Sequence, residues 1–252
     1  MSVPEHERSI ESWRPAYFLY RWAWASLDWL FPPSCGGCAI RGERWCPECQ
    51  DRTRLIPSTV CPICGNVQAS TAVCRKCRVS PPGYSALRSW AVFEGPLRNA
   101  LHRLKYKGDL ALGEVLARPL AGLLKDMGWT VDLVASVPLG VARKAERGYN
   151  QATLLARPLA LGSGLAFYPQ ALTKTRETRT QVGLSVLERR TNVAGAFRAT
   201  PKVVTDKLVV VVDDVTTSGA TIEACAQALL EAGARQVYGL TLARTAFIND
   251  LV

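Results

Sequence analysis

The sequence predicts an α/β protein built on a mainly parallel sheet, with a small cysteine-rich region ahead of it. Three observations lead there. Beyond residue 83, short aliphatic runs alternate with amphipathic helical stretches, the pattern of strands joined by crossover helices. One run, Leu208 to Val212, is wholly aliphatic, as a central strand covered on both faces requires. Before residue 83, eight of the nine cysteines fall in four C-x-x-C pairs, a spacing that points to metal ligation and away from an ordinary core.

At the N-terminus, residues 1–31 read as a polar tail followed by an amphipathic helix, "YFLYRWAWASLDWLF", Tyr17 to Phe31. This segment is too short to span a membrane and carries Arg21 and Asp28. Glu5, Glu7 and Glu11 precede it and no small-residue cleavage site follows, so it does not read as a signal peptide. The expected role is docking on its own protein, with a membrane surface or a partner as the alternative. Pro32 and Pro33 stop it.

Residues 32–82 form the expected metal-binding domain, zinc-ribbon or knuckle-like, closed by the turn "SPPG" at 80–83. Each C-x-x-C turn presents two thiolates from one tight loop, and two turns make a closed tetrahedral zinc site. Two structural zinc ions are therefore expected on Cys35, Cys38, Cys46, Cys49, Cys61, Cys64, Cys74 and Cys77. Consecutive and interleaved groupings of the pairs are both compatible with the spacing. His6 and His102 lie outside it. The formal charge of +10 falls to about +6 if each site holds four thiolates and one dication. Free thiolates imply a reducing compartment, the cytoplasm. Arg41, Arg44, Arg52, Arg54, Arg75, Lys76 and Arg78, with Trp45 as a stacking surface, would suit a single strand of DNA. A basic chain in any case points to an acidic partner, nucleic acid or a phosphorylated small molecule.

The α/β domain, 83–252, reads in order as strand 85–94, helix 96–105, helix 112–128 with Pro119 inside it, strand 131–138, helix 149–161, a mixed loop and helix 184–197, strand 207–214, helix 221–233 and strand 236–244. The hexapeptide "LARPLA" occurs at 116–121 and again at 155–160, with flanks that do not match.

The chemistry concentrates in "LVVVVDDVTTSGAT", Leu208 to Thr221. The carboxyl end of a central parallel strand opens on the ligand crevice of an open sheet, and there the chain places Asp213 and Asp214. Backbone amides at the following helix start, with the hydroxyls of Thr217, Ser218 and Thr221, suit an anion such as phosphate. Gly219 lets the backbone approach it. No "GxxxxGK[ST]" is present to make the acids a nucleotide-triphosphate motif. Cys225 sits at core spacing in the helix beyond.

"VVVVDDVTTSGAT" resembles the signature of type I phosphoribosyltransferases. With the cysteine region, "LKYKGD" at 104–109, "VPLGVARKAERGYNQA" at 137–152, "TRETRTQVGLSVLERRTNVAGAF" at 175–197 and the late "TLAR" at 241–244, the chain is similar to the ComF family. The resemblance implies a type I phosphoribosyltransferase-like parallel sheet flanked by helices, and 5-phosphoribosyl 1-pyrophosphate with Mg²⁺ as ligand. Asp213 and Asp214 would take the ribose hydroxyls, and Thr217, Ser218, Gly219, Ala220 and Thr221 the 5′-phosphate. Arg143, Lys144, Arg147, Lys105, Lys107, Arg176 and Arg179 would meet the pyrophosphate, the last two with Gln181 from a closing loop. It implies pentosyl transfer to an acceptor the sequence does not specify, or alternatively a non-catalytic single-stranded-DNA-binding factor working with DNA-uptake proteins.

Overall fold

A computed structural model describes residues 15–20, 22, 32–178 and 185–245. It opens on a helical turn at 15–20. Tyr17 is buried there and donates its hydroxyl to Glu114 Oε1 at 3.1 Å, so this turn docks on its own protein. Residues 23–31 of the expected helix lie outside the described residues. Among the described residues, no helix is long and apolar enough to cross a membrane.

Two short helices, α1 (Pro47–Asp51) and α2 (Arg75–Val79), belong to the cysteine region. Then follow β1 (Ala86–Val92), α3 (Gly95–Tyr106), α4 (Leu112–Asp126), β2 (Leu133–Ser136), α5 (Val141–Arg147), α6 (Gln151–Ser163), β3 (Ala166–Phe167) and β4 (Leu172–Lys174). The described residues end with α7 (Val186–Val193), β5 (Phe197–Ala199), α8 (Pro201–Val204), β6 (Leu208–Thr216), α9 (Ala220–Glu231) and β7 (Gln236–Arg244). Five strands make one parallel sheet in the order β1-β7-β6-β2-β3, and β4 pairs antiparallel with β5 beside it.

The aliphatic run of β6 behaves as its composition demands. Val209 and Val211 enter the core cluster of one face, with Leu87, Ile222, Cys225 and Leu229, whereas Val210 and Val212 enter that of the other, with Leu101, Leu116 and Leu155. Period-2 alternation thus buries both faces. The two copies of "LARPLA" lie on α4 and α6, whose Leu116, Leu120, Leu155 and Leu159 share the second cluster.

β2 is followed by helices leading outward to β3, while β6 and α9 lead the other way to β7. The sheet therefore changes direction between β2 and β6, the place where open α/β sheets leave a crevice. β2 stops pairing at Ser136↔Val212, but β7 continues beside β6 through Asp213↔Thr241 to Thr216↔Arg244. The expected end of the strand at the aspartates is thus two residues early. β7 carries the backbone partners onward, and the departure of β2 leaves one edge of the acidic segment open.

Candidate functional site

Asp214 is 3% exposed and Asp213 partly so. Lys105, from the last turn of α3, forms an ion pair with Asp214 Oδ2, and Gln151 Nε2 donates to Asp214 Oδ1 at 3.4 Å. Burial pushes the Asp214 carboxyl up, but the Lys105 ammonium outweighs it and holds the group below the usual carboxylate range. Asp213 accepts only the amide of Asp214, at 2.9 Å, among the hydrogen bonds found in the described residues. Burial, followed by the neighbouring Asp214 charge, pushes Asp213 well up. Two carboxylates thus face one ammonium. A divalent cation, or the hydroxyls of a sugar, would satisfy what remains.

Beyond Thr216 the chain bends through Thr217 and Ser218, and Gly219 (φ +81°) starts α9. A side chain at Gly219 would be strained by that φ and would come 3.1 Å from the Tyr84 hydroxyl. The first-turn amides of α9 have no intrahelical partners. They border an open hollow of about 300 Å³ lined by Asp213, Val215, Thr217, Gly219, Ala220 and Thr221. Ser218 Oγ is buried and no partner for it is found among the described residues; Ser218 lines a separate hollow, on the side of the bend that faces Cys64 and Cys77.

Across the open edge, the segment after β2 becomes α5, where the sequence predicts no helix. Asn150 caps α6 through Ala152 N at 3.0 Å. The Glu177 carboxylate rests on Gly140, where any Cβ would collide with it, and accepts from Ala142 N at 3.1 Å. An internal anion therefore already lies on the backbone after β2. Arg147 donates to Gln151 Oε1 at 2.7 Å and sits 5.1 Å from the Tyr106 ring centroid, so α5, α3 and Asp214 are linked through Gln151. Arg143 is half-buried near Lys174, whose ammonium is pushed down by burial and then by the Arg143 charge. Lys144 and Lys107 are exposed. Arg176 turns to the carbonyls of Asn192 and Ala194, at 3.1 and 2.9 Å, and holds the end of α7. Arg179 and Gln181 lie outside the described residues.

The cysteines group consecutively: Cys35, Cys38, Cys46 and Cys49 in one cluster, Cys61, Cys64, Cys74 and Cys77 in the other, all sulfurs within 4.8 Å of one another. Cys38–Cys46 and Cys64–Cys74 sulfurs are 3.7 and 3.8 Å apart, close to the ~3.8 Å edge of a tetrahedron with Zn–S bonds of about 2.3 Å. The two ribbons repeat each other. In each, the third cysteine's amide donates to the first sulfur at 3.4 Å. In each, the residue four past the first cysteine, Ala39 or Gly65, has φ near +65° (65° and 66°). Burial pushes the Cys35 thiol up, and the amides of Cys46, Cys38 and Gly37 bring it down to about 6. Cys49 and Cys77 are pushed up by burial and by the neighbouring sulfurs. Four sulfurs so close cannot all be thiolates without a cation, and a zinc ion in each cluster supplies one.

Residues 26–78 match the double zinc ribbon domain family. The chain is 35% identical over 206 residues to the DNA utilization protein YhgH of Escherichia coli K12, covering 79% of this chain and 90% of that one. It is 28% identical to the competence protein ComFC of Bacillus subtilis, over 81% and 85% of the two chains. The chain belongs to the ComF family. Among solved structures, it is similar to an adenine phosphoribosyltransferase of Thermoanaerobacter pseudethanolicus, with 20% identity over 55% of this chain and 83% of that one, at a TM-score of 0.36.

In this ComF chain the cations of the ribbons are largely engaged. Arg44 pairs with Asp109 at 3.7 Å, Arg52 with Glu48 at 3.3 Å and Arg54 with Glu94 at 3.1 Å. Lys76 donates to the Ser218 carbonyl at 3.0 Å. Trp45 packs against the core and donates its indole N–H to Gln50 at 2.8 Å, so it offers less of a stacking face than its place in the sequence suggested. Gln151, Tyr106, Glu177 and Tyr84 were not singled out from the sequence, although the first three lie within or beside the motifs of the resemblance. Their type and spacing carry no signal of their own. Only packing brings them to the acids, to the backbone after β2 and to Gly219.

Proposed function

We propose that this ComF-family protein binds 5-phosphoribosyl 1-pyrophosphate with Mg²⁺ and transfers its phosphoribosyl group to an acceptor. The observation that carries this reading is the pairing of two adjacent carboxylates on the open edge of β6, only one of them paired with a lysine, with an amide-lined bend one turn away. Asp213 and Asp214 would hold the ribose hydroxyls and the 217–221 bend the 5′-phosphate. Arg143, Arg147 and the backbone after β2 would meet the pyrophosphate, with Lys144, Lys107 and the 174–178 segment near by. Mg²⁺, when bound, offsets charge on the departing pyrophosphate. Lys105 would keep one acid ionised as ligand arrives.

Isothermal titration of the ligand with Mg²⁺ into the wild type and an Asp213→Asn, Asp214→Asn double variant tests the reading. Binding confined to the wild type is expected, and equal binding to both would remove it. The names of the relatives favour a second reading, a single-stranded-DNA-binding factor in DNA uptake. Arg41, Arg75 and Arg78 are exposed, and no ion pair is found for them among the described residues. An oligodeoxynucleotide that binds in the same cell, in the absence of any response to the phosphoribosyl ligand, would favour it.

Glu177 supports the place given to the pyrophosphate, because a carboxylate and a pyrophosphate would compete for the same amide. Glu177→Gln is expected to tighten binding of the pyrophosphate ligand by about 3- to 10-fold, the worth of a weak charge-assisted hydrogen bond, with no change for ribose 5-phosphate. Equal effects on the two ligands would place the competition elsewhere.

A further inference from the structure

The second zinc ribbon is joined to the sheet directly beneath the Ser218–Gly219 bend. The Ile63 carbonyl accepts from Leu87 N at 2.7 Å, the Pro62 carbonyl from Arg88 Nη2 at 2.9 Å, and the Cys64 carbonyl from buried Arg244. Gly65 meets the Leu87 carbonyl so closely that no Cβ could be placed there. A second hollow of about 260 Å³ lies between this ribbon and the bend, lined by Cys64, Lys76, Cys77, Tyr84, Ser218 and Glu223. Into it reaches Lys76, which stands between the ligands Cys74 and Cys77 on α2 and donates to the Ser218 carbonyl at 3.0 Å.

That hydrogen bond has a stereochemical consequence. The peptide joining Ser218 to Gly219 is planar and trans, since the described chain contains no cis peptide, so its C=O and N–H point in opposite directions. A carbonyl drawn toward the ribbon turns the Gly219 N–H away from it, and Gly219, which lines this hollow, also lines the one beside Asp213. We propose that Lys76 is a positioning residue, through which the second zinc ribbon aims the Gly219 amide at the ligand. α2 spans five residues, too few to persist as an isolated helix. Its place depends on Cys74 and Cys77, and metal in the second cluster thereby sets the bend. That the amide meets a phosphate rests on the function proposed above; that Lys76 orders it does not.

The test uses the full zinc-loaded chain and the variants Lys76→Ala and Lys76→Arg. Metal analysis should return two zinc ions in all three. In unliganded protein, the ¹⁵N order parameter of the Gly219 amide should fall from about 0.85 to below about 0.6 in Lys76→Ala and recover in Lys76→Arg. An unchanged value would overturn the proposal. Affinity for ribose 5-phosphate should drop about 10-fold in Lys76→Ala, the worth of one charged hydrogen bond, and by the same factor at low and high salt. A difference that vanishes at high salt would mean that Lys76 acts by attracting the phosphate through its charge, and would also overturn it. If the wild type fails to bind ribose 5-phosphate, the phosphate reading falls, and the order parameter still decides on Lys76.

Discussion

Asp213→Asn is expected to make the protein more resistant to urea at pH 8 while removing its affinity for ligand. Asp213 is pushed up by burial and by the Asp214 charge. Its proton is retained in the folded state above about pH 4, the point at which the unfolded chain releases it. Where the native state binds more protons than the unfolded one, stability falls as pH rises. Asp214, held low by Lys105, works in the opposite sense, and its contribution is lost only as pH falls below the ordinary carboxylate range. Asparagine keeps an oxygen to accept from the Asp214 amide and removes the repelled charge. The gain over wild type should therefore grow as pH rises from about 4 to 8, by up to about 1.4 kcal/mol per pH unit for as long as folded Asp213 keeps its proton. Lys105→Met should show the reverse, a loss of about 3 kcal/mol, because it leaves a buried acidic pair without its cation. Urea unfolding across this range, at constant zinc, reads both. A variant at Asp213 that loses ground to wild type with rising pH would refute the account. The acid that the proposed ligand needs would be the one the empty fold tolerates least.

Removing zinc should unfold far more than the ribbons. Cys61, Cys64 and Cys77 belong to the same buried cluster as Leu87, Ile222 and Cys225. The first ribbon is held to α3, the helix bearing Lys105, by Asn99 on the Gly37 carbonyl at 3.0 Å and Arg103 on the Cys35 carbonyl at 2.8 Å. A structural zinc site contributes about 10–16 kcal/mol to folding in small peptides, comparable with the ~5–15 kcal/mol total of an ordinary domain. A strong chelator should release two zinc ions per chain and abolish most of the helical circular dichroism in a single transition. Cys77→Ser should lower the melting temperature more than Cys38→Ser, since Cys77 is buried in the main cluster and Cys38 is only partly buried. Full retention of helical signal after loss of both ions would show that the sheet stands without its ribbons.

The readable parts of this protein were those in which one residue type can serve only one purpose. Leu208 to Val212 had to be a doubly covered strand, because no solvent-facing strand can bear five aliphatic side chains in a row. The C-x-x-C pairs pointed to metal and away from disulfides, because their regular two-residue spacing presents thiols in pairs from tight turns, and the sulfurs do gather in two clusters of four. The run from Asp213 to Thr221 marked the carboxyl end of the central strand and the start of the helix after it, because acids and hydroxyls cannot continue a doubly covered strand. The helix Val141–Arg147 was not readable. It buries none of its residues, so no apolar stripe announces it. β3, β4 and β5 are two or three residues long, too short for any period to register.

The sequence by itself determined the order of the longer elements, the strand that carries the acids and the chemistry of the metal ligands, all of which depend on side-chain type and local spacing. Only the tertiary structure decided which cysteine pairs share an ion, that Lys105 and Gln151 divide Asp214 between them, that Glu177 rests on Gly140, and that Lys76 holds the Ser218 carbonyl. Those pairings join residues far apart in the chain, 109 positions for Lys105 and Asp214 (214 − 105) and 142 for Lys76 and Ser218. A lysine carries the same charge and reach wherever it stands. What it meets is set by how helices and ribbons stack on the sheet, and that is a property of the whole core.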